Sequence, residues 1–126
     1  MIRERAKAEP NEKWEAQVRK GCLELAILAT LWDTRLYGLE ILRVLKQTSD
    51  LMLAEGTLYP ILARLRDERL VESEWVEADA GHPRKYYWLT NGGKQRVLAM
   101  ADFWNSFTGN LNHLLKPVVQ GKGARA

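Results

Sequence analysis

Residues 53–89 read LAEGTLYPILARLRDERLVESEWVEADAGHPRKYYWL, an apolar helical pattern carrying Arg64, Arg66 and Arg69 that runs straight into two short strand patterns. Leu58, Ile61, Leu62 and Leu65 recur at helical spacing and predict one buried stripe. Thr57, Tyr59, Pro60, Ala63, Arg64 and Asp67 are then left facing water or a partner. Pro60 removes a backbone donor and crowds the preceding turn. The helix therefore either starts near Thr57 as its cap or has a distorted first turn. Beyond it, Val71, Ser73 and Trp75 alternate with Glu72, Glu74 and Val76, and RKYYWL over 84–89 is rich in aromatic residues that suit a pleated sheet. Asp79, Ala80, Gly81, His82 and Pro83 predict the five-residue tip of a hairpin. A helix followed by a basic hairpin points to nucleic-acid binding.

Upstream, residues 1–10 are charged and aperiodic and are expected to form a flexible leader, with Asn11 as the N-cap of a first helix over 12–33. On that helix Trp14, Val18, Leu25, Leu28 and Trp32 share one face, while Leu23, Ile27 and Leu31 add a second apolar stripe. Two stripes need cover on two sides, from a second subunit or from a larger core. A shorter helix opens at Tyr37 and Gly38 and turns Leu39, Ile41, Leu42 and Leu45 inward, ending near Thr48, Ser49 and Asp50. Residues 51–53 are consistent with either an extended piece or a turn packed on the core.

Downstream, Thr90 is a suitable cap for a long helix in which Val97, Ala101, Trp104, Thr108, Leu111, Leu115 and Val118 recur at alternating spacings of four and three. Phe107 and Leu114 widen this heptad-like seam, which can lie along another subunit or close over its own core. Residues 119–126, with nothing to bury, are expected to be a disordered tail. The order of elements predicts a mainly helical (α+β) winged helix-turn-helix. Residues 11–90 are expected to form the binding domain with a two-stranded wing, and residues 91–118 a long C-terminal helix.

Composition excludes other classes more than it selects this one. With 126 residues, 46% hydrophobic and 28% charged, the chain suits one core rather than two. A net charge of +3 permits a polyanionic partner without requiring one. Cys22 has no second thiol to pair with, and no apolar run is long enough to span a bilayer, so a cytoplasmic, non-membrane protein is expected. His82 and His113 lack carboxylate or cysteine partners at metal or triad spacing, and Gly92-Gly93 lacks the rest of a phosphate-binding loop. No enzyme, metal or cofactor is expected.

Four segments, taken in order, resemble the PadR family of bacterial transcription regulators: WEAQVRKG over 14–21, Tyr37-Gly38, EGTLYPILARL over 55–65 and GHPRKYYWLT over 81–90. The resemblance covers nearly the whole chain apart from its two ends. It implies a homodimeric, ligand-responsive repressor of the short subtype, bound to double-stranded DNA, with the first helix and the last, a C-terminal dimerisation helix, in the dimer contact. The residues assigned to that contact are Trp14, Val18, Trp32, Ala101, Trp104, Phe107, Leu111 and Leu115. It also places Trp104 where a tryptophan stacks on planar aromatic effectors, although Trp104 equally suits a heptad core. Two glycines, Gly92 and Gly93, stand in a first turn that usually carries one, which predicts a late start for the last helix.

Residue chemistry selects the DNA contacts. Arg64 and Arg66 can pair with phosphate or donate to guanine N7 and O6, while Arg66 or Arg69 can instead pair with Asp67, Glu68 or Glu72. Thr57 and Tyr59 can donate at the helix start, or Tyr59 can pack under the wing. His82, Arg84 and Lys85 are placed to neutralise phosphates at the wing, and Tyr37 resembles a position near the DNA backbone or serves as a core aromatic. The competing reading is a winged-helix protein-interaction module, because Glu72, Glu74, Glu77 and Asp79 would repel phosphate if they faced the groove.

Overall fold

A computed structural model describes the backbone of residues 2–49, 51–77 and 81–125, and the side chains of residues 11–49, 51–77 and 81–121. Its elements are α1 (Ile2–Thr30), β1 (Leu36–Tyr37), α2 (Gly38–Thr48), α3 (Glu55–Asp67), β2 (Val71–Val76), β3 (Arg84–Leu89) and α4 (Asn91–Arg125). The core gathers where the apolar stripes converge: Ile27 and Leu28 from α1, Leu31 from the turn after it, Ile41 and Leu45 from α2, Leu58, Leu62 and Leu65 from α3, then Val71, Tyr87 and Leu89 from the sheet. Full burial of such a side chain stabilises by about 1.5–3 kcal/mol each. Ile61 packs partly buried at the edge of the stripe predicted for α3.

The sheet is antiparallel in the order β1-β3-β2, with Val71 opposite Leu89, Val76 opposite Arg84 and Leu36 opposite Tyr87. The two wing strands have the predicted bounds, whereas β1 is a two-residue strand with no sequence periodicity to announce it. Of the predicted tip, Asp79 and Ala80 lie outside the described residues, as does Asp50 at the end of α2.

The end of α3 and the start of α4 are built as one joint. Arg69 adopts a left-handed φ of 62° just past the helix, and the Leu70 and Arg69 amides donate to the Leu65 and Arg66 carbonyls, both at 2.9 Å. This closing pattern usually recruits glycine. It aims the Arg69 and Leu70 carbonyls at Thr90, whose hydroxyl donates to them at 2.7 and 3.2 Å and accepts from the Gly93 amide at 2.9 Å. Thr90 is therefore the N-cap of α4, as predicted. Gly93 has a steric reason, because a Cβ there would collide with the Leu70 carbonyl oxygen. The double glycine thus seats the first turn of α4 against β2, and the helix begins at Asn91 rather than late.

Several expectations are corrected. The helical backbone of α1 begins at Ile2, where a flexible leader and an Asn11 cap were expected. The helix of α4 likewise continues through Pro117 to Arg125, past the expected boundary at 118 and into the expected tail. Both extensions continue helices already nucleated within the packed domain, where fixing a further residue costs less than starting a new helix. Trp32 falls in the turn after α1 rather than on the helix. Leu39, expected inside α2, is 49% exposed because it lies off the helix face that buries Gly38, Ile41 and Leu45. Residues 51–53 have no regular structure, and Leu53 packs on the core while Met52 is exposed. The N-cap of α3 is Ala54, so Thr57 is the third helical residue rather than the cap. Pro60 lies inside α3, and the carbonyl it leaves without a donor belongs to Gly56, on an exposed turn where water can reach it.

Candidate nucleic-acid interface

Glu55, Tyr59, Ala63 and Arg66 follow one another along a single face of α3, and that face looks across a cleft at the wing. The cleft has a volume of about 480 Å³, and its other walls include Tyr37, Trp75, Arg84, Lys85 and Tyr87. Tyr59 reaches toward the start of α2, where its phenol oxygen occupies the space a Cβ at Gly38 would take. Burial raises the pKa of Tyr59 above the ordinary phenol value, with the Glu55 carboxylate adding to the effect. Tyr87 is raised by burial first and by neighbouring Tyr59 second, while the positive charge of Arg66 opposes the shift. Both phenols stay neutral hydrogen-bonding groups at physiological pH.

The cations of the wing are held by aromatic rings rather than by acids. The Arg84 guanidinium sits 4.6 Å from the centre of the Tyr37 ring, and Tyr37 meets Tyr86 edge-on at 5.4 Å. Lys85 Nζ lies 5.6 Å from the Trp75 ring and 6.0 Å from that of Tyr87. Among the described residues no carboxylate pairs with Arg66, Arg84 or Lys85. Cations stacked on rings keep their donors free for an incoming anion. Period-two alternation puts Glu72 and Glu74 on one face of β2 and Val71, Ser73 and Trp75 on the other. Glu74 is paired with Arg35 at 3.9 Å, and Arg35 stacks on Trp88 at 3.9 Å. Two of the four acids feared to repel phosphate, Glu72 and Glu74, thus alternate away from Trp75, the β2 side chain that lines the cleft, while Asp79 lies outside the described residues. Glu77 is exposed at the end of β2.

The residues selected from sequence divide accordingly. Tyr37, Tyr59, Arg66, Arg84 and Lys85 come together around the cleft; Thr57 is exposed on the first turn of α3, and His82 is exposed at the tip of the wing. Arg64 is elsewhere. It bridges α3 to α1, one nitrogen donating to Glu24 Oε1 at 2.9 Å and the other to Glu68 Oε2 at 2.9 Å. These two hydrogen bonds, that to Glu24 first, raise the guanidinium pKa still further. Trp75 was passed over as a site residue although its strand alternation already set it beside Val71 and Ser73, and Arg35 carried no signal at all.

A second, apolar groove of about 520 Å³ runs between α1 and α4, lined by Val18, Cys22, Leu25, Met100, Phe103, Trp104 and Phe107 among others. Phe103 and Phe107 stack at 5.5 Å with their rings 11° apart. Val18, Trp104 and Phe107 were selected from sequence, whereas Phe103, Met100 and Cys22 were not. Trp14 at 62%, Leu111 at 40% and Leu115 at 43% exposure extend the apolar surface beyond the groove, and Ala101 is half-buried beside it. Trp32 is 42% exposed and is not part of the groove lining. Among the described residues no helix is long and apolar enough to cross a membrane.

A three-helix core, a two-stranded wing whose cations have no carboxylate partner among the described residues and a long flanking helix define a winged helix-turn-helix protein of the DNA-binding class. The family model described as transcriptional regulator PadR-like family matches residues 27–99. A PadR-like transcription factor from Bacteroides fragilis is 38% identical, covers 81% of this chain and 98% of its own, and superposes with a TM-score of 0.68. A PadR family transcriptional regulator from Eggerthella lenta is 26% identical over 88% of this chain and 96% of its own, with a TM-score of 0.79. A PadR-like transcriptional regulator from Bacillus cereus is 31% identical over 79% and 97%, with a TM-score of 0.72. The chain belongs to the PadR-like family of transcriptional regulators, which bind DNA and are not enzymes.

Proposed function

We propose that this regulator is a cytoplasmic, ligand-responsive repressor that binds a two-fold-symmetric operator as a homodimer, with one α3 in each of two successive major grooves. The observation that carries the reading is the cleft between α3 and the wing, where Arg66, Arg84 and Lys85 converge with no acid partner among the described residues. Tyr37, Thr57, Tyr59 and His82 complete the contact surface, the exposed amides at the start of α3 adding further donors for phosphate. Arg64 enters the proposal as a structural tie rather than a DNA contact.

Dimerisation is supported by the apolar surface left on α1 and α4, where Trp14, Val18, Phe107, Leu111 and Leu115 are all at least 40% exposed. Contiguous apolar surface of this kind marks a protein contact. Ala101 and Trp104 continue the same surface on α4, and Trp32, exposed in the turn after α1, is kept in the proposed contact. The groove beneath Trp104 is of a size and lining that suit a planar aromatic effector. Repression is then relieved when the effector alters the spacing of α1 and α4.

The test is fluorescence anisotropy of a duplex from upstream of the protein's own gene against a shuffled duplex at near-physiological salt. A preference of about a thousandfold or more supports the reading. Equal, weak and salt-insensitive binding to both would overturn it in favour of a wing that binds protein. For the effector, planar aromatic compounds should quench tryptophan fluorescence, and a Trp104→Ala variant should lose that part of the quenching. Equal quenching in the variant would place the ligand elsewhere, since Trp14, Trp32, Trp75 and Trp88 also emit.

A further inference from the structure

Glu24 stands where three helices meet. Its Oε1 accepts from Arg64 of α3 at 2.9 Å, its Oε2 accepts from Arg96 of α4 at 3.0 Å, and its own side chain on α1 is only 23% exposed. Each carboxylate oxygen serves a different helix, so a shift of either arginine pulls on the other through a rigid planar group. Arg64 is braced in turn by Glu68 on its own helix at 2.9 Å.

We propose that Glu24 is a positioning residue for DNA recognition, holding α3 in register with α1 and α4 so that a displacement of α4 is delivered to the reading face. This rests on the reading of the α3–wing cleft as the DNA-binding surface. The geometry behind it is a pair of polar ties added to the core packing of α3. At its C-terminal end α3 is held to the start of α4 through Thr90, which donates to the Arg69 and Leu70 carbonyls. Leu58, Leu62 and Leu65 already seat α3 on the core, and the second polar tie, at Arg64 one turn before the end of the helix, adds a restraint on the direction of its axis. Arg64 occupies one flank of α3, and Tyr59, Ala63 and Arg66 occupy the flank that lines the cleft. A small swing about the Thr90 joint therefore changes the cleft.

The same carboxylate adjoins the apolar groove. Gly21 and Leu25 line that groove on either side of Glu24 along α1, and Ala99 and Met100 line it one turn beyond Arg96 along α4. Whatever sets the spacing of α1 and α4 at the groove acts within a turn of the Glu24–Arg96 pair. From there the connection to α3 is one side chain long.

The full-length protein tests this through Glu24→Gln and the charge-preserving Arg96→Lys. Glu24→Gln raises the net charge by one, so electrostatics alone would tighten DNA binding. Positioning predicts the opposite: operator affinity falls about fivefold or more in each variant, the salt slope is unchanged, and the double variant is no weaker than Glu24→Gln alone. In the free protein, amide exchange should accelerate in residues 55–67 while residues 38–48 keep their protection. Unchanged or tighter binding by Glu24→Gln, or a neutral Arg96→Lys, would overturn the proposal. So would uniform acceleration of exchange, which marks ordinary destabilisation. An Arg64→Met salt slope lower by about one would make Arg64 a phosphate contact and overturn it too. If wild-type protein binds no duplex specifically but exchange in 55–67 still responds to Arg96→Lys, the tether stands and the DNA reading of the cleft fails.

Discussion

Arg69 is the residue whose backbone most exceeds its side-chain type. Its φ of 62° is a left-handed conformation that glycine adopts freely and arginine does not. The conformation is retained because it closes α3 and turns two carbonyls onto Thr90. Arg69→Gly should therefore stabilise the protein by about 1 kcal/mol, raising the melting temperature by roughly 4 °C. A lower melting temperature would mean that the arginine side chain contributes more than its backbone costs. Tyr87 makes a pH prediction. Its folded pKa lies above the ordinary 10.0, so the phenol binds its proton more tightly folded than unfolded. That contribution is fully present below pH of about 10 and is lost as pH rises through the higher folded value. Urea melts between pH 8 and 11 (roughly the range that brackets an ordinary phenol) should show stability falling at the alkaline end, and less steeply in Tyr87→Phe. Identical slopes would place the alkaline loss in other groups.

Among the elements, the wing and α4 show how differently local pattern and environment act. The strands of the wing were legible because alternation and the Gly81-His82-Pro83 turn agree with each other, and the same alternation separates Glu72 and Glu74 from the Trp75 face. Their charges are consequently no obstacle at the cleft. Arg84→Ala and Lys85→Ala should each weaken binding to every duplex alike and lower the salt slope by about one. Titrations at several salt concentrations check this, and an unchanged slope in both would remove the wing from the contact. On α4 the heptad-like spacing was equally legible, but spacing does not say who covers the seam. Val97 is buried by this chain itself, whereas Leu111 and Leu115 are left 40% and 43% exposed. One regular pattern thus serves the chain's own core at one end and a free surface at the other.

At the scale of the whole molecule, the exposed seam of α4 and the outer face of α1 are more than a monomer can bury. On the proposed dimer, Leu111→Lys should leave the winged domain folded, because Leu111 is not part of its core, while shifting sedimentation toward the monomer and weakening operator binding. An unchanged sedimentation coefficient would locate the dimer contact elsewhere. The sequence by itself determined the four helices, the two wing strands, most of the core stripes and the family, because helical and strand periodicity, turn chemistry at residues 81–83 and the cap at Thr90 are local properties that point to one answer. It also determined which cations belong to the wing. What only tertiary structure decided were the relations between distant segments. Arg64 looked free for DNA until the fold brought Glu24, forty positions away, within 2.9 Å of it. Leu39 looked buried until the fold turned the Gly38, Ile41 and Leu45 face of α2 to the core instead, and Gly93 looked like a flaw until Leu70 arrived against it. A residue's type and spacing state what it can do; which neighbour arrives from elsewhere in the chain decides whether an arginine reads DNA or holds helices together.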